Sequence, residues 1–281
     1  MTESLRVPTR ARLKVGGQAL PDGVLMRTAR AWAIARADGT LVTGELPPPR
    51  WPKIPVLRVL AGLAQSLRLG LTRGGRATPR CGRRPGGAWK LWRALAGAEG
   101  AVLGLDWLLG RVRPPDWQKP VITIGLWVVA IAVFRLCAPA AQWRYHGAEH
   151  KAVTAYEQGV ELSDVGAVLG CSRLHPRCGT NLIVWLACLA PVLGRLPGLV
   201  QLAAVPLTVA VVAEVLTFAA RWPDSFLSRT TVAPGRVLQA WVTTREPSAS
   251  EQLVGCAALR ACLARHDEVV TGSRQDVVTA A

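Results

Sequence analysis

Residues 121–137 read VITIGLWVVAIAVFRLC, with Arg135 as the single charge, and residues 181–222 carry only Arg195, Glu214 and the terminal Arg221 among some forty positions. Crossing the ~30 Å hydrocarbon core of a bilayer takes about 20 apolar helical residues, so runs of this length decide the fold. Trp117 and Trp143 bracket the first run as interfacial anchors do. The LGRLPG stretch at 193–198 divides the second run into two arms, which predicts a hairpin of transmembrane helices. A weaker segment, 97–112, has the core AVLGLDWLLG with Asp106 inside it. It reads as a shallow or re-entrant helix, or as the partner of 121–137. The expected fold class is α+β: an integral membrane protein with three to four transmembrane helices and a small cytoplasmic α/β portion.

Outside these runs the chain is basic. Its 281 residues carry a formal charge of +16, with 50% hydrophobic and 19% charged residues and a mean hydropathy of +0.25. That composition excludes a disordered acidic chain and a collagen. Residues 1–120 hold 21 Lys and Arg against 7 Asp and Glu, and Arg68 to Arg93 contribute eight bases and no acid. The RGGRATPRCGRRPGG stretch lacks interleaved aromatics and any helix-turn-helix or zinc-finger spacing, so no nucleic-acid partner is expected. A basic flank ahead of apolar spans fits anionic lipid headgroups and the positive-inside rule. The partners expected are therefore the lipid bilayer and those headgroups. The division that follows is a basic N-terminal region with a β-hairpin (1–96), membrane segments (97–137), a His-containing loop or helix (138–180), a membrane hairpin (181–222) and a cytoplasmic C-terminal segment (223–281). Three spans would put the His-containing loop across the membrane from the N-terminus; four would put both on the cytoplasmic face. Residues 6–36 hold scattered bases without an adjacent apolar stretch, unlike a secretory signal. Seven cysteines without paired spacing read as reduced thiols.

The chemistry concentrates in residues 145–151, YHGAEHK, which contain H-x-x-E-H. On a helix, His146 and His150 are four apart and face one metal, while Glu149 can reach a metal-bound water as general base. Of the four histidines a third, His175, lies nearby in HPRCGT with Cys178. This donor set suits a divalent metal, zinc above others. An open site would leave a position for water. A closed tetrahedron of His146, His150, His175 and Cys178 would be structural, with Glu149 only a hydrogen-bond acceptor. Arg177 suits an anionic substrate or a lipid phosphate.

Glu214, within VAVVAEVLTFAARW, needs a partner in an apolar setting: Arg195, a neighbouring helix, or the metal region. Near the N-terminus, GGQA and DGVLMR supply Gln18 and Asp22, where Gly16-Gly17 reads as a tight turn or as site material. The following WAIARADGTLVTGEL alternates around Asp38-Gly39 and predicts a β-hairpin. Near the C-terminus, the polar WVTTREP, with Arg245, leads into an amphipathic helix over 248–264.

The ordered blocks GGQALPDGVLMR, an apolar span, YHGAEHKAVTAYE, HPRCGT, a membrane hairpin and VTTREP resemble the YqhQ-like bacterial membrane proteins, from about Val15 to Leu263. That family lacks an established reaction and is described as metal-dependent enzymes. The resemblance implies a bacterial inner-membrane, multi-pass protein. It also implies that the three polar blocks belong to one cytoplasmic assembly. Asp22 stands where the family pattern has Glu, and Asn181-Leu182 where it has Ser-Phe. The functional expectation is a metal-dependent hydrolase on an unidentified membrane-proximal substrate. In it His146, His150 and His175 are ligands, Cys178 is a fourth ligand or neighbour, Glu149 is the base, and Gln18, Asp22 and Arg245 complete the pocket. The alternative is a membrane scaffold or assembly factor with a structural zinc.

Overall fold

Two adjacent strands, Gly23–Arg27 (β2) and Ala31–Arg36 (β3), are buried along nearly their whole length, so both of their faces are covered. With Gly16–Leu20 (β1) and Leu41–Glu45 (β4) they form an antiparallel meander in sequence order. This computed structural model describes residues 13–48, 54–70, 117–193, 195–222 and 224–279, with isolated positions between 72 and 115. The expected hairpin is β3–β4, turned at Gly39, whose φ of +82° suits glycine. Gly16-Gly17 is not a turn: both residues lie in β1, paired with Arg27 and Met26.

Side-chain alternation assigns each face of the sheet a cover. Val24, Met26, Ala33 and Ala35 point toward the helices Ala140–Gln158 (α3) and Ala249–Thr279 (α8), meeting Tyr145, Ala152, Leu259 and Cys262 in the main core. Leu25, Trp32 and Ile34 point the other way, onto Leu20, Leu46 and Leu69 at the end of Pro55–Leu69 (α1). A capping box starts α8: the Ser248 N–H and hydroxyl donate to Glu251 Oε2, each at 2.9 Å, and the Glu251 N–H returns to Ser248 Oγ at 3.3 Å. Cys171, Cys178, Cys188, Cys256 and Cys262 are free, and burial pushes the Cys262 thiol up to about 11, so this core thiol is inert at neutral pH.

A second, helical layer is built from Lys119–Cys137 (α2), Gly179–Leu193 (α5), Gly198–Arg221 (α6) and Phe226–Leu238 (α7). Val212, Leu216 and Ala219 of α6 pack on Val232 of α7 and on Leu182, Trp185 and Leu189 of α5. Glu214 finds its partner on a neighbouring helix: Arg58 Nη2 of α1 donates to Glu214 Oε1 at 2.8 Å.

The expectation of three to four transmembrane helices does not hold. Among the described residues only α6 is long and apolar enough to cross a membrane. In α2 and α5 the apolar stretches found among the described residues, Ile124–Val133 and Gly179–Ala190, are shorter. The LGRLPG stretch does separate α5 from α6, but α5 is only 15 residues long. The segment 97–112 lies outside the described residues except at isolated positions.

Leu259 is fully buried in the main core, whereas Leu253 on the same helix is half exposed. Leu259→Ala is expected to cost about 2–5 kcal/mol. Leu253→Ala should cost under about 1 kcal/mol. Thermal unfolding of the two variants side by side checks this; equal losses would show that α8 does not close the sheet.

Candidate metal centre

Helix α3 carries H-x-x-E-H on a stretch buried from Trp143 to Ala155, apart from half-buried positions such as His146, because it is wedged between the sheet and α8. It ends at Gly159, whose left-handed φ of +82° lets its N–H cap the last carbonyls. The four-residue spacing stacks the His146 and His150 rings with centroids 4.4 Å apart. Cys178, just ahead of α5, places its Sγ 3.4 Å from His146 Nε2. One ligand atom from each of His146, His150 and Cys178 lies within 4.8 Å of the other two.

The second ring nitrogens are held by backbone. His146 Nδ1 lies 2.7 Å from the Thr243 carbonyl and His150 Nδ1 lies 2.6 Å from the Arg173 carbonyl. A carbonyl only accepts, so both Nδ1 atoms carry the proton and both Nε2 lone pairs are free. Burial lowers the His150 pKa, which favours the neutral ring. The three donors therefore fit a divalent metal in spacing, and the two histidines in tautomer.

His175 is brought close to His150, at 5.8 Å between centroids, but both its nitrogens have other partners. Its Nδ1 accepts from the Arg177 N–H at 3.3 Å and its Nε2 lies 3.2 Å from Glu157 Oε2. Arg177 pairs with the same Glu157. Burial would raise that carboxyl, but the hydrogen bonds from His175 and the nearby Arg177 charge outweigh it and hold Glu157 below its ordinary value.

Glu149 is buried against β1. A Cβ on Gly17 would meet its Oε1 at 2.7 Å, so glycine there is what admits the carboxylate. It has no hydrogen-bond partner among the described residues, and burial pushes its pKa up to about 7, against the opposing pull of His146. The remaining candidates are dispersed. Gln18 Nε2 donates to the Ser66 carbonyl at 3.1 Å, Asp22 pairs with Arg36 at 2.6 Å at the sheet edge, and Glu214 lies in the helical layer. Arg245 joins the site through its backbone: its N–H donates to the Trp143 carbonyl at 2.9 Å, and its own carbonyl lies where a Cβ on Gly147 would be, at 2.0 Å.

The groups that orient the histidines carry no motif. Thr243 ends a π-helical turn, Gln239–Thr243, a form often found beside functional sites. Gln239, fully buried, brackets His175 by accepting from its N–H at 2.8 Å and donating to its carbonyl at 3.1 Å. Lys151 and Arg173 both pair with Glu246, at 3.0 and 2.9 Å. Lys151 also donates to the Leu169 and Cys171 carbonyls, and Arg173 to Thr244 Oγ1. The sequence signal that pointed there is the polar WVTTREP block, which contains Thr243, Thr244 and Glu246.

Gly147→Ala must push the 244–247 segment off α3 and is expected to cost about 1–3 kcal/mol. Gly179→Ala, whose Cβ would meet nothing within 4 Å, should be neutral or slightly stabilising. Chemical unfolding of both variants decides, and a neutral Gly147→Ala would contradict the close crossing.

Comparison with known proteins bears on this same region. A family described as "Protein of unknown function (DUF1385)" matches residues 119–265, more than half of the chain. The chain is also similar to "Uncharacterized protein YqhQ" of Bacillus subtilis (strain 168), 28% identical over 207 residues that cover 60% of this chain and 65% of that protein. The chain thus spans just under two thirds of that relative's length. No solved structure matches it. The three metal-ligand candidates and the 239–246 segment that orients them all fall inside the matched residues, and the chain belongs to this YqhQ-like DUF1385 family of unknown function.

Proposed function

We propose that this chain is a metal-dependent hydrolase of a membrane-proximal substrate, held at a bacterial membrane by the apolar surface of α6 with its site on the cytoplasmic side. The observation that carries the reading is the shared orientation of two imidazoles, each giving its Nδ1 proton to a backbone carbonyl and turning Nε2 toward Cys178 Sγ. Ligating histidines are held this way in metal enzymes. With both nitrogens of His175 engaged elsewhere, three donors remain among the described residues. Three protein ligands and an open position are the arrangement of catalytic zinc sites, and a closed structural site takes four. The membrane association rests on the apolar, largely exposed surface of α6, and the sidedness on the base-rich first 120 residues.

When bound, a divalent metal, zinc by this donor set, supplies a Lewis acid and makes water acidic enough to ionise near neutrality. Glu149 follows the first histidine by three residues and borders the second. Its pKa of about 7 balances proton affinity against availability, as a general base at neutral pH requires. Its carboxylate takes the proton of the attacking water and returns it to the leaving group as the scissile bond breaks. Burial beside Gly17 keeps bulk water from solvating that charge.

Elemental analysis of the purified protein should find about one metal per chain. His146→Ala with His150→Ala should remove it. Glu149→Gln should keep the metal yet fail to complement a deletion strain. Full complementation by Glu149→Gln would overturn the general-base role, and a metal-free wild type would overturn the whole reading.

The raised carboxyl also makes a stability prediction for metal-stripped protein. The folded state binds the Glu149 proton more tightly than the unfolded chain, whose value is the ordinary 4.5. That advantage is fully present below pH 4.5 and is lost as pH rises through 7, leaving a cost of about 3 kcal/mol. Glu149→Gln should therefore be more stable than wild type by roughly 2–3 kcal/mol at pH 8 and no more stable near pH 4.5. A gap that does not change with pH would show that Glu149 is not the buried acid.

A further inference from the structure

We propose that Thr180 is a positioning residue that sets the donor strength of the Cys178 sulfur, through a hydrogen-bond relay ending on the same threonine that orients His146. Thr180 is buried in the first turn of α5, and Cys178 stands just ahead of that helix. The Thr180 N–H donates to Cys178 Sγ at 3.4 Å, as the second amide of a helix donates to a capping side chain. Thr180 Oγ1 lies 3.2 Å from the same sulfur and 3.2 Å from Thr243 Oγ1. Thr243 in turn receives the His146 Nδ1 proton on its carbonyl, at 2.7 Å. The turn that carries the sulfur is itself tied down, because the fully buried Asn181 donates to the Pro176 carbonyl at 2.8 Å.

The direction of the relay follows from what each group can donate. A sulfur that ligates a metal has lost its proton and only accepts. The Thr180 hydroxyl therefore turns its proton to Sγ, and its lone pair accepts the proton of the Thr243 hydroxyl. The thiolate thus carries two hydrogen bonds, one from an amide and one from a hydroxyl that a second hydroxyl polarises. In the thiol form the same contact runs the other way, from S–H to Thr180 Oγ1, so the pair is matched in both states.

A thiolate gives a metal more electron density than an imidazole does and so lowers its Lewis acidity. Hydrogen bonds to the sulfur draw part of that density back, which is how groups beyond the ligands tune a metal. Thr243 then serves both kinds of donor, holding one imidazole by its carbonyl and, through Thr180, the sulfur by its hydroxyl. The consequence for reactivity rests on the hydrolase reading, whereas the relay to the sulfur rests on the metal centre alone.

Cobalt-loaded, detergent-purified protein tests the relay, because the thiolate-to-cobalt charge-transfer band moves to longer wavelength when a hydrogen bond to sulfur is lost. Zinc affinity, by competition with a chromophoric chelator, and Tm are measured on the same variants. Thr180→Val should shift the band and weaken zinc binding at least about tenfold. Thr180→Ser keeps the hydroxyl and should retain the wild-type band. Thr243→Val keeps the carbonyl on His146 but removes the outer hydroxyl, and should shift the band the same way by less. A Thr180→Val band that coincides with wild type overturns the proposal and leaves the metal centre standing. A shift in Thr180→Ser as large as in Thr180→Val also overturns it, since the effect would then be one of packing. If Thr180→Val does not fold, an unshifted band in Thr243→Val overturns the relay in its place. A wild type that takes up no cobalt, or takes it up without a sulfur band, removes the three-donor centre and the proposal together.

Discussion

The crossing of the 243–247 segment over Gly147 of α3 is the contact on which the site depends. Nothing larger than a hydrogen fits between that helix and the Arg245 carbonyl. Because the chain passes so close, the Thr243 carbonyl reaches His146 Nδ1, the Arg245 N–H reaches the Trp143 carbonyl, and Glu246 reaches Lys151 and Arg173. Arg173 in turn ties down the loop whose own carbonyl orients His150. One backbone crossing thereby fixes the tautomer of both histidines, which charge and hydropathy alone would leave undetermined.

The sheet contributes rigidity and one opening. Two strands buried on both faces give α3 a fixed bed, and α8 closes it from outside through Gly255, whose Cβ would stand 3.0 Å from the Ala148 carbonyl. Gly17 is the opening in β1 through which Glu149 fits. A buried carboxylate without a hydrogen bond is expensive, by several kcal/mol when ionised. A chain that keeps one beside two imidazoles has placed a group able to exchange a proton near neutral pH where a ligand could use it.

Much of this was legible in the sequence, for reasons specific to each residue. H-x-x-E-H declares itself because the helical repeat brings residues four apart onto one side, and Cys178 follows from its nearness to a third histidine. The β3–β4 hairpin follows from alternation and an Asp-Gly turn. His175, expected as a third imidazole ligand, has Glu157 and the Arg177 N–H as partners, which are set by the turn after α4 (Val165–Leu169) and which no spacing rule encodes. The membrane reading counted several apolar runs as spans, whereas among the described residues only α6 has the length and composition to cross a membrane. Gly16-Gly17 reads in the sequence as a tight turn or as site material, and in the structure the missing side chain at Gly17 makes room for Glu149.

The central claim is that two imidazole Nε2 atoms and one thiolate hold a single metal. X-ray absorption fine structure on zinc-loaded protein tests it directly. The account predicts one sulfur at about 2.3 Å and two imidazole nitrogens at about 2.0–2.1 Å, with a further light atom completing the shell. A shell with three imidazoles and one sulfur would restore the closed structural site, and a shell without sulfur would contradict the place given to Cys178.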